Sequence, residues 1–264
     1  MSAKATNTST CIPSAPAIAN CETRAADPFD LVSQLGATRY STADCLLFGG
    51  SAAKGTYNDS SDIDLVVLFP RLPNSQRETF VKDGWQIDAQ LHDLETLNFV
   101  LSSDARLGSA ILANFILEAA PIPTETTIGR RAKSISKEIV DAGPPKTDLS
   151  GSRYTIGNML SDLSGPINEH ELMAVAAELY KVLALHVFRQ HGRWLVSKKI
   201  LPRSLGEIDA KLEREFFVAF QICFARHDPG PVIALTKRLI PELAKDIAVP
   251  FNWTYPASHR LKLK

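Results

Sequence analysis

Residues 44–69 read DCLLFGGSAAKGTYNDSSDIDLVVLF, and the fold is decided by how this stretch is read. An apolar run, Cys45 to Phe48, stops at Gly49-Gly50-Ser51. Small residues follow, then Gly55-Thr56, a polar turn, and Ser61-Asp62-Ile63-Asp64 leading straight into Leu65 to Phe69. The order predicts strand, glycine turn, short helix, turn and strand. Side chains alternate along a strand, so Asp62 and Asp64 fall on one face, about 7 Å apart. Like charges that close are costly unless a cation lies between them, and a divalent metal on oxygen ligands is the usual answer. Gly49 and Gly50 leave backbone amides open at the end of the first strand. A helix starting at Ser51 or Ala52 would turn its N-terminus toward an anion there. A phosphate cradle beside a metal pair is equipment for phosphoryl or nucleotidyl transfer.

Gly55 is followed by Thr56 and Tyr57, so this is not a Walker A loop, and G-x-G-x-x-G is absent. Asn58 to Asp62 resembles a calcium loop in composition, but it lacks the required glycine and leads into a strand. A turn rich in Asp, Asn and Ser is in general only a turn. The Gly-Ser pair at this distance, with apolar strands on both sides, favours a functional site.

GGSAAKGTYNDSSDIDLVV resembles the signature of the DNA polymerase β-type nucleotidyltransferase superfamily: a Gly-Ser pair, a short gap, and Asp-x-Asp on the next strand. The tight Ser-Asp-Ile-Asp-Leu form is similar to the minimal and aminoglycoside-type branch, and the resemblance covers residues 44–92. It implies a metal-dependent transfer of a nucleoside monophosphate from an NTP, with ATP the first choice, to a hydroxyl, with pyrophosphate released. Asp62 and Asp64 would hold Mg²⁺ or Mn²⁺. Gly50 and Ser51 would hold the β- and γ-phosphates. It also implies a third carboxylate on a later strand. Gly84 to His92 alternates cleanly, with Trp85, Ile87, Ala89 and Leu91 on one face and Gln86, Asp88, Gln90 and His92 on an open polar face. Asp88 is in place for that third role, either as a ligand of a second metal or as a group that helps deprotonate the acceptor hydroxyl. Its competitor, Asp93, is better suited to cap the helix that starts at Leu94.

Composition sets bounds on partners. The 264 residues carry 29 Lys and Arg against 29 Asp and Glu, which gives no overall field for nucleic acid. A small-molecule acceptor is therefore expected, an antibiotic being the sharpest version. Modification of a protein hydroxyl, or a nucleotide-sensing, antitoxin-like module, is the alternative. The four cysteines show no C-x-x-C pattern, and Cys45 and Cys223 lie in apolar runs as small core residues. No run reaches the roughly 20 apolar residues that span a bilayer, and no signal peptide is recognisable. A cytoplasmic protein is expected, and a homodimer stays open.

The chain divides as follows. Residues 1–27, rich in Ser, Thr, Ala and Pro, are expected to be a disordered tail. Residues 28–141 form the catalytic domain, opening with an amphipathic helix Pro28 to Tyr40. Helices are expected over Asp93 to Ser102, Ala105 to Ala119 and Thr127 to Val140, the last with a solvated basic face. Residues 142–152 (AGPPKTDLSGS) are the linker. Residues 153–250 form an all-α bundle, with helices at Tyr154 to Leu163, Glu169 to Gln190, Ile208 to Phe224 and Val232 to Ile247, kinked at Pro241. Residues 251–264 form a tail. The predicted fold is α+β: a small mixed-sheet domain with flanking helices, followed by a helical bundle.

The bundle would form the far wall of the cleft. Lys181 and Lys198, or its neighbour Lys199, are candidates to contact the nucleotide from there. Trp194 is expected to pack within the bundle, Glu118 to be a surface residue, and His186 and His191 to be core or surface histidines.

Overall fold

The computed structural model of the chain describes Arg24, residues 26–244, Asn252 and Thr254. The expected tails at 1–27 and 251–264 therefore lie mostly outside the described residues. The architecture is α+β, as expected, with a five-stranded mixed sheet followed by helices.

The sheet runs in the order β3-β4-β2-β1-β5, from β1 (Cys45–Gly49), β2 (Ile63–Leu68), β3 (Gln76–Lys82), β4 (Trp85–His92) and β5 (Ala120–Ile122). β2 and β4 are parallel, and every other pairing is antiparallel. The central strands β1 and β2 are apolar on both faces because both faces are covered. On one side, Leu46, Phe48, Ile63, Leu65, Val67, Trp85, Ile87 and Ala89 pack against α1 (Pro28–Ala37) through Leu31, Val32 and Leu35. On the other, Cys45, Leu47, Val66 and Leu68 meet α3 (Leu94–Arg106), α4 (Ile111–Glu118) and α5 (Thr127–Ala142). The Asp27 carboxylate caps α1, and Asp93 caps α3 in a capping box with Thr96.

Two strands were missed in the sequence. β3 is mostly polar and mostly exposed, so it carries no apolar alternation. Its trace was Asp83-Gly84, a two-residue hairpin turn in which both residues have positive φ, 50° and 78°. β5 is three residues long, too short to show a period. His92, expected on an open face, is buried, because its end of β4 lies against Leu68 and under α3. Its Nδ1 has no hydrogen-bond partner.

The second half is helical: α6 (Ser150–Ser164), α7 (Glu169–Gln190), α8 (Leu201–Ile208), α9 (Ala210–Arg226) and α10 (Gly230–Leu239). Leu172, Ala176, Leu179, Leu183 and Val187 of α7 form the spine of a separate core with Phe216 and Phe220 of α9. The expected helix from Ile208 begins two residues later, at Ala210, since Asp209 ends α8 and caps α9. Pro241 does not kink the last helix. It ends it, and a short 3₁₀ turn, Pro241–Ala244, follows.

The two halves are joined by more than residues 143–149. Leu195 N–H donates to Gly108 O at 2.8 Å, and Leu195 forms a parallel bridge with Ser109. Trp194 does not pack in the bundle as expected. Its ring lies on the α3–α5 layer, and its Nε1 donates to Val140 O at 3.4 Å. An indole needs apolar cover and a carbonyl, and the end of α5 offers both.

The Phe48 ring is fully buried, while Phe29, edge-on to it at 4.9 Å between centroids, is 41% exposed. Urea denaturation is expected to show a loss of about 3–5 kcal/mol for Phe48→Ala and under about 1.5 kcal/mol for Phe29→Ala.

Candidate active site

The sheet register sets the site. Gly49 stands opposite Asp64, Asp64 opposite Asp88, and Asp88 opposite Thr79, so one row crosses four strands. Neighbouring strands lie about 4.8 Å apart, which brings the Asp64 and Asp88 side chains together on the α3–α5 face. Asp62 sits just before β2, and its charge also acts on Asp64. The structure thus brings Asp62, Asp64 and Asp88 together around the start of β2.

Electrostatics reflect that crowding. Burial pushes the Asp64 carboxyl up from 3.8 to about 6, and the negative charges of Asp62 and Asp88 add to the shift. Arg77 and Lys199 act in the opposite direction. Asp88 is not free: Arg77 donates from Nε to Oδ1 at 2.9 Å and from Nη2 to Oδ2 at 2.5 Å. Among the described residues, no group of three or more His, Cys, Asp and Glu side chains is arranged to hold a metal ion.

The glycine pair is explained by close approach. Gly50 has φ +75°, and a Cβ built on it would lie 2.5 Å from Asp64 Oδ2. Its backbone therefore lies directly against the carboxylate, where a side chain would displace it. At Gly49, a Cβ would sit 2.4 Å from the Phe115 ring of α4. Ser51 follows in the single-turn helix α2 (Gly50–Ala53) and is half-buried.

Three supports escaped the sequence. Arg24 lies in a stretch whose composition suggested only a tail. Its guanidinium donates to Asn58 O at 2.6 Å, to Asp59 O at 3.0 Å and to Ser61 O, and it stacks over the Trp85 ring at 3.9 Å. It thus holds the turn that delivers Asp62. Arg77 was missed with β3. Lys54 pairs with Glu118 at 2.6 Å, tying the segment after Ser51 to α4; both are exposed, as expected for Glu118.

Of the lysines, Lys199 is the one whose charge acts on Asp64. Lys198 is its exposed neighbour. Lys181 lies on the solvent face of α7, 4.0 Å from Glu178 of the same helix. His186 is a core residue with Nδ1 2.8 Å from Ser152 Oγ, and burial pushes its pKa down to about 4. Asp93 is engaged as the cap of α3 and also accepts from Leu72 N–H at 2.9 Å. The basic face of α5 is solvated and internally paired, with Lys137 2.8 Å from Asp141.

Residues 38–122 match the nucleotidyltransferase domain family, a span that includes all five strands, the Gly-Ser pair and the three aspartates. No curated protein matches the chain. Among solved structures it is similar to a nucleotidyltransferase-like protein from Exiguobacterium sibiricum 255-15, at 13% identity, covering 80% of this chain and 73% of that one, with a TM-score of 0.45. No helix among the described residues is long and apolar enough to cross a membrane.

Because the folded Asp64 carboxyl titrates above its ordinary value, the folded state keeps the proton to a higher pH than the unfolded chain does. Its ionisation costs stability, a cost absent below about pH 4 and complete above about pH 6. In metal-free buffer, Asp64→Asn is expected to be more stable than wild type by about 1–2 kcal/mol at pH 7.5, with the two urea midpoints converging near pH 4. Gly50→Ala combines an unfavourable φ with the Asp64 collision. It is expected to lower stability by about 1–3 kcal/mol in the same assay.

Proposed function

We propose that this chain, whose residues 38–122 match the nucleotidyltransferase domain family, moves a nucleoside monophosphate from an NTP, ATP in the first instance, to a hydroxyl of a small-molecule acceptor. A bond forms between the acceptor oxygen and the α-phosphorus. The bond from that phosphorus to the oxygen bridging to the β-phosphate breaks. Pyrophosphate leaves, and the hydroxyl proton passes to the carboxylate set.

The observation that carries this reading is the row Gly49–Asp64–Asp88, with Gly50 against the Asp64 carboxylate and Asp62 beside it. The donor set fits a hard divalent cation. Asp62 and Asp64 offer carboxylate oxygens, and the raised Asp64 value expresses burial first and then repulsion from Asp62 and Asp88, a cost that a bound cation relieves. Asp62 and Asp64 would hold Mg²⁺ or Mn²⁺, and Asp88 stands beside them in the row, paired with Arg77. When bound, the ion neutralises triphosphate charge and polarises the phosphorus. The Gly50 amide and the Ser51 hydroxyl orient the β- and γ-phosphates. Lys199, brought in by the segment clasped at Leu195, adds positive charge from the helical half, and we place the nucleotide contact there rather than at Lys198 or Lys181. The absence of net charge supports a small acceptor over nucleic acid.

The test is calorimetry with a non-hydrolysable ATP analogue, with and without Mg²⁺. Wild type is expected to bind in a metal-dependent manner, and Asp62→Asn/Asp64→Asn to lose at least tenfold in affinity. If none of the four triphosphates binds, the proposal is wrong. If binding holds, pyrophosphate release with hydroxylated small molecules, antibiotics among them, identifies the acceptor.

A further inference from the structure

The third carboxylate already has a cation. Arg77 grips both oxygens of Asp88 in the forked arrangement that gives guanidinium–carboxylate pairs their strength and direction. The Asp88 side chain is 17% exposed and that of Arg77 65%, so the guanidinium covers the carboxylate from the open side. β3 is an edge strand hydrogen-bonded to β4 along its whole length, with Arg77 opposite Gln90. The charge is therefore delivered by a fixed strand, not by a loop.

A surface ion pair is ordinarily worth little and would yield to a divalent ion. The location argues for more. Asp88 adjoins Asp64 in the row, and Asp64 feels both the repulsion of Asp62 and Asp88 and the attraction of Arg77. A half-buried carboxylate in such company needs a counter-charge at all times, and Arg77 supplies it without any ligand.

We propose that Arg77 takes the place of a second metal ion: it is the resident counter-charge of Asp88 and leaves Asp62 and Asp64 to hold a single divalent cation. The inference rests on the metal-dependent reading of the site. Arg77 is then a positioning residue. It fixes the Asp88 carboxylate beside Asp64 and denies it to a metal, and the site needs one exchangeable ion per turnover.

Stoichiometry tests this directly. Mn²⁺ is titrated into the protein saturated with a non-hydrolysable ATP analogue, and bound ions are counted by calorimetry and by electron paramagnetic resonance. Wild type is expected to bind one ion per protein–nucleotide complex. Arg77→Met, with folding checked by thermal denaturation, is expected to gain a second, and Arg77→Met/Asp88→Asn to lose it again. Asp88→Asn alone is expected to keep the wild-type count. Two ions in wild type, no gain in Arg77→Met, or a loss in Asp88→Asn would each overturn the proposal. A protein that binds no ion, or whose ion survives Asp62→Asn/Asp64→Asn, fails the transferase reading itself.

Discussion

Charge repulsion across one row of the sheet is the constraint on which the rest depends. The parallel pairing of β2 and β4 sets Asp64 directly beside Asp88, and the turn before β2 adds Asp62. Nothing in strand propensity calls for this. The apolar faces of β1, β2 and β4 hold the register, because slipping by one residue would turn Ile63, Leu65 and Val67 out of their core. Burial on both faces thus fixes three aspartates in an arrangement they would not adopt alone. The positive groups around them, Arg77 and Lys199, come from an edge strand and from the helical half.

The helical half is attached to this row by an unusual route. The residues between α5 and α6 make the covalent link, but the contact near the site comes from after α7. Trp194 settles on the α3–α5 layer, Leu195 bonds to Gly108, and four residues on stands Lys199. The bundle core is a distinct cluster, so its stability and the placement of Lys199 are coupled chiefly through this clasp.

Much of this was legible in the sequence, for definable reasons. Gly49-Gly50-Ser51 and Asp62-x-Asp64 are close in the chain, and their strands are strongly apolar, so local pattern sufficed. The alternation of Trp85 to Leu91 placed Asp88 on the correct face. What escaped depended on distant contacts. Arg24 organises a turn more than thirty residues away, in a segment whose composition suggested no structure. β3 is held by hydrogen bonds to β4, by Glu78, which accepts from Arg39 and Tyr40, and by the single apolar contact of Phe80 with the core, too little to show as a period. Trp194 was assigned to the nearer core in sequence, whereas its ring found the other one.

β3 has a second consequence, for how the molecule meets its neighbours. It is the outer strand of the sheet, and its far side has no partner strand among the described residues. Such an edge is a template on which other chains can add strands and begin to aggregate. Here it carries Arg77, Glu78 and Lys82 within seven residues, and Arg39 lies over the Phe80 ring. An incoming strand would have to strip water from these charges. Arg77, which pairs with Asp88, therefore also counts among the charges that guard this edge against added strands.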